Sequence, residues 1–327
     1  MLLAAAACAL FPTPTVAQGV PRALERLDEA NGQRWVAPLT RALAPALTAG
    51  FFTTGGRGEG FGLSVRVNAG LVPTGDERFT PVLPGTIDFD GTTWEEPYVV
   101  AGAAAREGSP TVAGGGEGLR LTPRPGSRFE EALDAAGVSE IRRDLPLPDG
   151  LGLRRVPVPV LEARLALRGV GMSFVGRFAP TVELFDELGD VTALGGGVLL
   201  TISRFLPFRG IDLGVSAVTQ KLDAAGWLDA SASAFGVVAS RQLGPVRPYV
   251  HAALASATVD VRYHVRNPEE ALLLPPDGAE IHIRHHESSE PRVALGATLK
   301  LPVLDVAAEY VASERNAVSL RVTLLGT

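Results

Sequence analysis

Residues 292–301 read RVALGATLKL, and this stretch decides the fold class. Every second position from Val293 to Leu301 is apolar, whereas the alternate positions are polar or small and include Arg292 and Lys300. Successive side chains of a β-strand point to opposite faces, so this period of two predicts a strand with one apolar face and one polar face.

The same alternation recurs along the chain, at residues 61–71, 161–168, 211–218, 304–310 and 318–324. The strands of a soluble β-sandwich also alternate between apolar and polar residues. The lengths of the connections between strands are therefore needed to distinguish a sandwich from a membrane barrel. Tight connections are predicted at 168–171, 206–210, 243–246 and 301–303, and longer polar ones at 184–190, 221–229, 267–280 and 312–316. This rhythm is typical of outer-membrane barrels, and it favours an all-β, antiparallel transmembrane β-barrel of about 10–14 strands.

Aromatic residues support the same interpretation, because several fall near predicted strand ends, where the aromatic girdle of a membrane barrel lies. They are Phe205, Phe208, Trp227, Tyr249, Tyr263 and Tyr310. The alternative is that these rings fill a core.

The composition narrows the function classes. A net charge of −6 argues against nucleic-acid binding, which needs a basic face. The chain has one cysteine, Cys8, and no apolar run long enough for a membrane-spanning helix. The apolar run Leu2–Leu10 followed by small residues up to Ala17 predicts a cleaved signal peptide over residues 1–17 and export to the bacterial outer membrane. The expected partners are outer-membrane lipid and the barrel-assembly machinery.

Residues 18–56 are predicted to be a helical plug inside the barrel or, alternatively, a periplasmic segment. Their apolar residues recur at helical spacing and would form a sticky patch if exposed, which favours the plug. The plug residues are Trp35, Leu39, Leu43, Leu47, Phe51 and Phe52.

Residues 57–327 are predicted to form the barrel, and 74–152 is the ambiguous part within them. We interpret it as an irregular insertion or as one strand pair with a long loop. Ser127 and Glu130 form a capping-box pattern, which predicts a short helix over 129–136.

The charged residues on the inferred inner face are candidates for lining the lumen: Arg66, Arg164, Arg177, Asp212, Asp260, Arg262, Arg292, Lys300, Asp305, Glu309 and Arg321. They line a polar channel in one interpretation, and form ion pairs that fill a closed lumen in the other. No convincing catalytic constellation is visible, and no cofactor is expected. His282, His285 and His286 are weak metal candidates, and Ser288 and Ser289 beside them raise the alternative of a lipid hydrolase.

The chain resembles an uncharacterised family of bacterial outer-membrane β-barrel proteins that carries only a domain-of-unknown-function label. The resemblance runs from about Trp35 to the C-terminus. It rests on Pro38-Leu39, Gly50-Phe51-Phe52, Gly60-Phe61-Gly62, Asn68-Ala69, Val72-Pro73, Phe79-Thr80, Ser109-Pro110-Thr111-Val112 with Gly114, Pro157-Val158-Pro159, Phe178-Ala179-Pro180 and 205–213, FLPFRGIDL. It implies an outer-membrane barrel with no established substrate, and the layout of helix plus barrel is similar to that of fatty-acid-transporter-like barrels.

The sequence thus predicts a passive channel or transporter for small molecules, hydrophobic ligands among them. The alternatives are a structural or surface-interaction barrel with a filled lumen and an outer-membrane lipid hydrolase.

Overall fold

The computed structural model describes residues 14–56, 60–102, 106–167, 169–179, 191–205 and 210–326. Most of the predicted signal peptide, with Cys8, lies outside them. In the described residues ten antiparallel strands close into a barrel, each pairing with the next along the chain and the last pairing with the first. The strands are β1 (Phe61–Leu71), β2 (Arg155–Leu167), β3 (Met172–Ala179), β4 (Val191–Thr201), β5 (Asp212–Ala224), β6 (Leu228–Ser240), β7 (Val246–His264), β8 (Glu280–Lys300), β9 (Asp305–Ala312) and β10 (Ala317–Gly326).

An apolar belt surrounds the outside of the barrel. Its exposed side chains alternate with buried ones and include Phe61, Leu63, Leu161, Leu165, Phe174, Phe178, Leu194, Leu200, Phe235, Val237, Val250, Leu254, Val293, Leu295, Leu299 and Tyr310. Along β8 and the residue after it, the belt runs from Pro291 to Leu301. Ten steps of about 3.4 Å at a tilt of about 40° span about 26 Å, close to the apolar band of an outer-membrane barrel.

Several strands continue beyond this belt, and there the polarity of their two faces is reversed. On β7 the outward residues change from Val250 and Leu254 to Asp260 and Arg262, while the inward residues become apolar, as at Val261. The extended ends therefore have the water-facing exterior and apolar interior of a soluble protein.

The two ends of the barrel differ in their connections. At one end, which we call the turn side, the strands are connected by residues 168–171, 202–211, 241–245 and 301–304. At the other end, which we call the loop side, they are connected by residues 72–154, 180–190, 225–227, 265–279 and 313–316. The predicted alternation of tight and long connections is only partly correct. The predicted loop at 221–229 is instead the extended ends of β5 and β6 around a three-residue turn, whereas the turn-side connection at 202–211 has ten residues. The predicted loop at 184–190 lies outside the described residues.

Two helices precede the barrel: α1 (Pro14–Leu24), which spans the predicted cleavage point at Ala17, and α2 (Glu29–Thr48). The Asp28 carboxylate caps α2 by accepting hydrogen bonds from the amides of Ala30 and Asn31, at 3.2 and 3.4 Å. Among the described residues, no helix combines the length and hydropathy needed to span a membrane.

The insertion between β1 and β2 is a small folded unit whose strands pair outside the barrel. Ser127 caps a helix as predicted, by accepting a hydrogen bond from the amide of Glu130 at 3.2 Å. The strands are Arg78–Phe79, Thr86–Phe89, Thr92–Glu95, Tyr98–Ala101, Ser109–Pro110, Gly115–Gly116, Arg120–Pro123, Leu145–Pro146 and Gly150–Leu151, and the helices are Thr74–Asp76 (3₁₀), α3 (Arg128–Ala135) and α4 (Glu140–Arg143). A further 3₁₀ turn, Ser203–Phe205, follows β4.

One hydrophobic core joins the insertion, the two N-terminal helices and the loop-side half of the barrel. Leu24 and Trp35 from the helices pack in the same cluster as Leu121 and Phe129 from the insertion and Val261 from β7. The insertion therefore covers the loop-side end of the barrel.

The aromatic residues do not form the girdle that their positions suggest. Tyr249 and Tyr263 point inward and are buried, and Trp227 packs against the core, whereas Phe205 and Tyr310 are exposed. Phe208 lies outside the described residues. Tyr249 and Tyr263 therefore follow the alternative interpretation, in which the aromatic rings fill a core.

Candidate functional site: the lumen and its internal helix

Helix α2 lies inside the barrel. It contacts β1, β2, β5, β6, β7, β8 and β10, strands that are distributed around the whole wall. The residues predicted as the plug are all buried: Trp35, Leu39, Leu43, Leu47, Phe51 and Phe52. The chain enters the lumen at the loop side, where Leu24 and Leu27 pack in the core shared with the insertion. Residues 49–56 continue to the turn side, where Gly55 and Gly56 lie against Asp212.

Helix α2 approaches the wall closely at Gly70 on β1. A Cβ atom at this position would overlap the backbone carbonyl of Ala42. Only a glycine leaves room for the helix backbone here, so this part of the lumen is filled by main chain packed on main chain.

Polar side chains of the wall hold the C-terminal end of the helix. The last carbonyl groups of an α-helix have no partner within the helix, and this end carries partial negative charge. Arg292 donates to the carbonyl of Ala44 at 3.2 Å, and Asn68 donates to that of Ala46 at 2.9 Å. Arg177 donates to the carbonyl of Ala49 at 2.9 Å. The wall thus supplies the donors that the helix end requires.

The chain leaves the helix through Gly50, whose φ of +69° favours glycine. Its amide donates to Glu309 Oε1 at 2.7 Å. At the end of α2, a carboxylate therefore accepts from the free backbone amide, and arginines donate to the free backbone carbonyls.

Glu162 on β2 lies at the centre of four arginines. Its carboxylate is 3.0 Å from Arg66 Nε, 3.1 Å from Arg177 Nε and 3.2 Å from Arg164 Nη2. Arg321 Nη1 is 3.6 Å away. The Glu162 side chain is 0% exposed, so the arginines replace the water that it would otherwise bind.

The aromatic segment after the helix is bound by the same arginines. Arg177 stacks on the Phe51 ring, with its guanidinium carbon 3.5 Å from the ring centroid. Arg164 donates to the carbonyl of Phe51 at 2.9 Å. Phe51 and Phe52 also pack against the inward-facing Val175 and Leu199.

The lumen-lining candidates separate into three groups. Arg66, Arg164, Arg177, Arg292, Glu309 and Arg321 surround the end of α2 and the segment after it. Asp212, Lys300 and Asp305 point inward at the turn-side mouth. For Asp260 and Arg262 the prediction was wrong, because both point outward beyond the apolar belt, where Asp260 accepts a hydrogen bond from Arg284 at 2.6 Å.

Two central residues were absent from the predicted set, namely Glu162 and Asn68. Glu162 stands two positions before Arg164 on one face of a strand, a pairing of charges that is visible in the sequence. Asn68 carries no comparable signal, because its role depends on where the helix ends.

The rim histidines face different directions and bind different partners. His282 bonds to Asp260 at 2.9 Å and His286 to Thr258 at 2.9 Å on the outer face, whereas His285 bonds to Glu287 at 3.1 Å on the inner face. In the described parts of the chain, no group of three or more His, Cys, Asp or Glu side chains is placed to hold a metal ion.

The serine–histidine contact that the structure shows lies in the lumen rather than at the rim. Ser216 Oγ is 3.1 Å from His251 Nε2, and both side chains are buried. At the rim, the amide of Ser289 donates to Ser256. This arrangement does not support the hydrolase alternative.

A family model described as a family of unknown function (DUF6588) matches residues 1–324. Among solved structures, the chain is similar to the translocator domain of the autotransporter NalP from Neisseria meningitidis, with 10% identity, 90% of this chain and 97% of that chain covered, and a TM-score of 0.20. It is also similar to a BenF-like porin from Pseudomonas fluorescens Pf-5, with 10% identity, coverage of 82% and 98%, and a TM-score of 0.17. No curated protein sequence matches. The chain belongs to the family of unknown function DUF6588.

Proposed function

We propose that this chain is an outer-membrane barrel whose lumen is sealed by its own helix α2 and whose loop side presents the insertion, residues 72–154, as a surface platform. The observation that carries the proposal is the way α2 is held against the wall. The helix backbone packs directly on Gly70 of β1. Side chains of the wall donate hydrogen bonds to the carbonyls of Ala44, Ala46 and Ala49.

The membrane location is supported by the apolar belt, since a soluble protein rarely exposes so large a continuous apolar surface. The test compares Val250→Arg, in the belt, with Thr258→Arg, on the same face of β7 beyond it. An arginine near the mid-plane of the bilayer costs about 2–4 kcal/mol. We expect Val250→Arg to reduce the fraction of heat-modifiable barrel in membranes and Thr258→Arg to leave it unchanged; equal behaviour of the two contradicts the location.

Short turns of outer-membrane barrels face the periplasm, so the proposal places the insertion outside the cell. Cysteines are introduced in turn at Glu96, an exposed side chain of the insertion, and at Val303, exposed at the turn side, in a Cys8→Ser background. A membrane-impermeant maleimide on intact cells is expected to label Glu96→Cys and not Val303→Cys. Labelling of Val303→Cys alone reverses the orientation and removes the surface platform.

The seal is tested by planar-bilayer conductance of the purified, refolded chain. A sealed barrel gives no stepwise conductance, and the double variant Arg177→Gln/Arg292→Gln, which removes two donors from the end of α2, is expected to give openings. Steady conductance of the unaltered chain would falsify the seal.

A passive channel for small molecules, hydrophobic ligands included, is the second candidate function. The observation in its favour is the charged inner wall, which includes Arg66, Arg177 and Arg292 and which displacement of α2 would leave as the lining of a polar passage. Solute-dependent swelling of liposomes that contain the unaltered chain supports this candidate, and its absence supports the sealed barrel.

A further inference from the structure

Helix α2 is not enclosed on every side near the loop side of the barrel. Most of its residues from Asn31 to Thr48 are buried, but Gln33 and Arg34 are exposed, and Ala37 and Arg41 are half-buried. Because the last three follow one another at intervals of three and four residues, they lie on one face of the helix. We call this surface the open face of α2.

The wall beside the open face is incomplete because β9 is shorter than β8. The ladder between these strands ends at the pair Val293–Ala312, whereas β8 continues to Glu280 and pairs there with β7 alone. Within the part of the chain that the structure describes, no backbone hydrogen bond joins residues 280–290 to a segment other than β7. This edge of β8 therefore presents free backbone donors and acceptors, as the edge of a sheet does.

The open face of α2 runs alongside the free edge of β8. A Cβ atom added to Gly32 of α2 would contact Ile283 Cδ1 at 3.5 Å. Further along the helix, the carbonyl of Ala44 accepts a hydrogen bond from Arg292 at 3.2 Å. The stretch of α2 that includes the open face therefore lies next to β8 between these two contacts.

The insertion forms the opposite side of the same cleft. The Asn31 side chain accepts from the amide of Val82 at 2.8 Å and donates to the carbonyl of Val82 at 3.1 Å. Arg34 donates to the carbonyl of Thr80 at 3.0 Å. The cleft thus has the edge of β8 on one side, this segment of the insertion on the other, and the open face of α2 as its floor.

The floor of the cleft carries two cationic side chains. Among the described side chains, neither Arg34 nor Arg41 forms an ion pair, and the bond that Arg34 makes is to a backbone carbonyl. The two glutamates of the adjoining part of β8, Glu287 and Glu290, are instead bound to Arg292 at 3.5 and 3.1 Å. The two arginines of the floor are therefore available to acidic side chains of a bound molecule.

We propose that this cleft binds an extended, acidic segment of a partner protein, which adds a strand to the free edge of β8. Main-chain hydrogen bonds to the edge supply affinity, and alternate side chains of the added strand face α2. Carboxylates at these positions meet Arg34 and Arg41, and the small side chain of Ala37 leaves room between them.

A second copy of the chain does not offer such a segment at its own free edge. Residues 280–286 read EIHIRHH, and this run contains one carboxylate, one arginine and three histidines. The proposed site needs only the folded chain, so it depends neither on the seal nor on the orientation proposed above.

Strand addition is tested on the full-length chain, folded in maltoside micelles, with synthetic peptides whose ends are blocked. One peptide consists of four Asp-Val repeats and another of four Lys-Val repeats. Hydrogen exchange followed by mass spectrometry is expected to show residues 280–290 exchanging several-fold more slowly with the acidic peptide and unchanged with the basic one. The acidic peptide methylated on alternate backbone nitrogens keeps its charge but lacks donors, and is expected to bind about tenfold more weakly.

Charge recognition is tested on the floor of the cleft, with binding measured by fluorescence anisotropy of labelled peptides. Arg34→Gln/Arg41→Gln is expected to weaken binding of the acidic peptide about tenfold, and Arg34→Glu/Arg41→Glu is expected to prefer the basic peptide. Arg128→Gln/Arg155→Gln is the matched control, because both arginines are exposed away from the cleft, and it is expected to bind as the unaltered chain does. A misfolded variant binds neither peptide, so an exchanged preference is not a folding effect.

Four results overturn the proposal. The first is unprotected exchange of residues 280–290 at millimolar acidic peptide, and the second is equal binding of the methylated peptide, which excludes strand addition. The third is an unchanged peptide preference of the charge-reversed variant. The fourth is slow exchange of residues 280–290 in the free chain together with a dimer in sedimentation, since a second copy then covers the edge.

Discussion

Replacing Glu162 by glutamine removes the charge at the centre of the lumen and keeps the shape of the side chain. Three arginine nitrogens lie within 3.2 Å of this carboxylate and a fourth at 3.6 Å, and the side chain is completely buried. Removing one partner of a buried ion pair costs about 3–5 kcal/mol, because the remaining charges stay buried without compensation. The ratio of folded to unfolded chain is therefore expected to fall by roughly two to three and a half orders of magnitude.

The assay is urea unfolding of the chain reconstituted in lipid vesicles, followed by tryptophan fluorescence and by gel migration without boiling. Glu96→Gln is the control, because Glu96 is 82% exposed and pairs with Arg124 at 3.6 Å on the surface of the insertion. It is expected to unfold at the urea concentration of the unaltered chain. An equal midpoint for Glu162→Gln refutes the reasoning, and it would mean that the arginines relax into water or onto backbone carbonyls at no cost.

Three further predictions concern the helices and the insertion. Gly70→Ala is expected to cost about 1–3 kcal/mol by overpacking against α2, whereas Gly176→Ala, with open space around it on the outer face, leaves the thermal midpoint unchanged. Asp28→Ala removes the N-cap of α2 and is expected to cost about 1 kcal/mol, whereas Ser139→Ala, at an N-cap without a side-chain hydrogen bond, costs nothing measurable in urea. Burial raises the pKa of Tyr98 above its usual value near 10, so the contribution of this phenol to stability is complete below pH 10 and is lost as the pH rises further. The difference in absorbance at 295 nm between the unaltered chain and Tyr98→Phe reports this phenol alone and is expected to show it ionising only as the insertion unfolds. Ionisation of Tyr98 near pH 10 in the folded chain contradicts this.

Alternation of side chains was sufficient to predict the strands that carry the apolar belt. β1 follows the predicted alternation over its whole length, and the alternation also separated inward from outward residues correctly at Arg66, Arg177 and Arg321. In such strands the polar side chain is the inward one, because the outward positions form the apolar belt.

The same rule failed where strands extend beyond the apolar belt. Asp260 and Arg262 are polar because they face water outside the barrel, and residues 221–229 looked like a loop because Lys221 and Asp229 face water too. The polarity of a side chain indicates the environment of its face of the strand. The sequence alone does not show at which residue the environment of the outer face changes from apolar to aqueous.

The centre of the lumen was beyond prediction for a different reason. Glu162 pairs with Arg177 across β2 and β3, and Arg66 reaches it from β1. These contacts depend on the register of three strands, of which β1 is separated from β2 and β3 by the whole insertion, and register is a property of paired strands rather than of any one strand. The capped helix of the insertion was predicted, but the way its strands pair was not, because those strands are only two to four residues long.

If the barrel lies in a membrane as proposed, the reversal of polarity along β7 and β8 has a consequence for its depth in the bilayer. It occurs beside an irregularity in pairing, where Ala255 faces Glu290 and Ala257 faces Glu287, so that β8 carries one extra residue. Sliding the barrel by one residue pair towards the turn side would draw Ser256 into hydrocarbon, and sliding it the other way would lift Leu254 into water. In the proposed location, the depth of the barrel in the bilayer is therefore determined by the covalent sequence of these two strands.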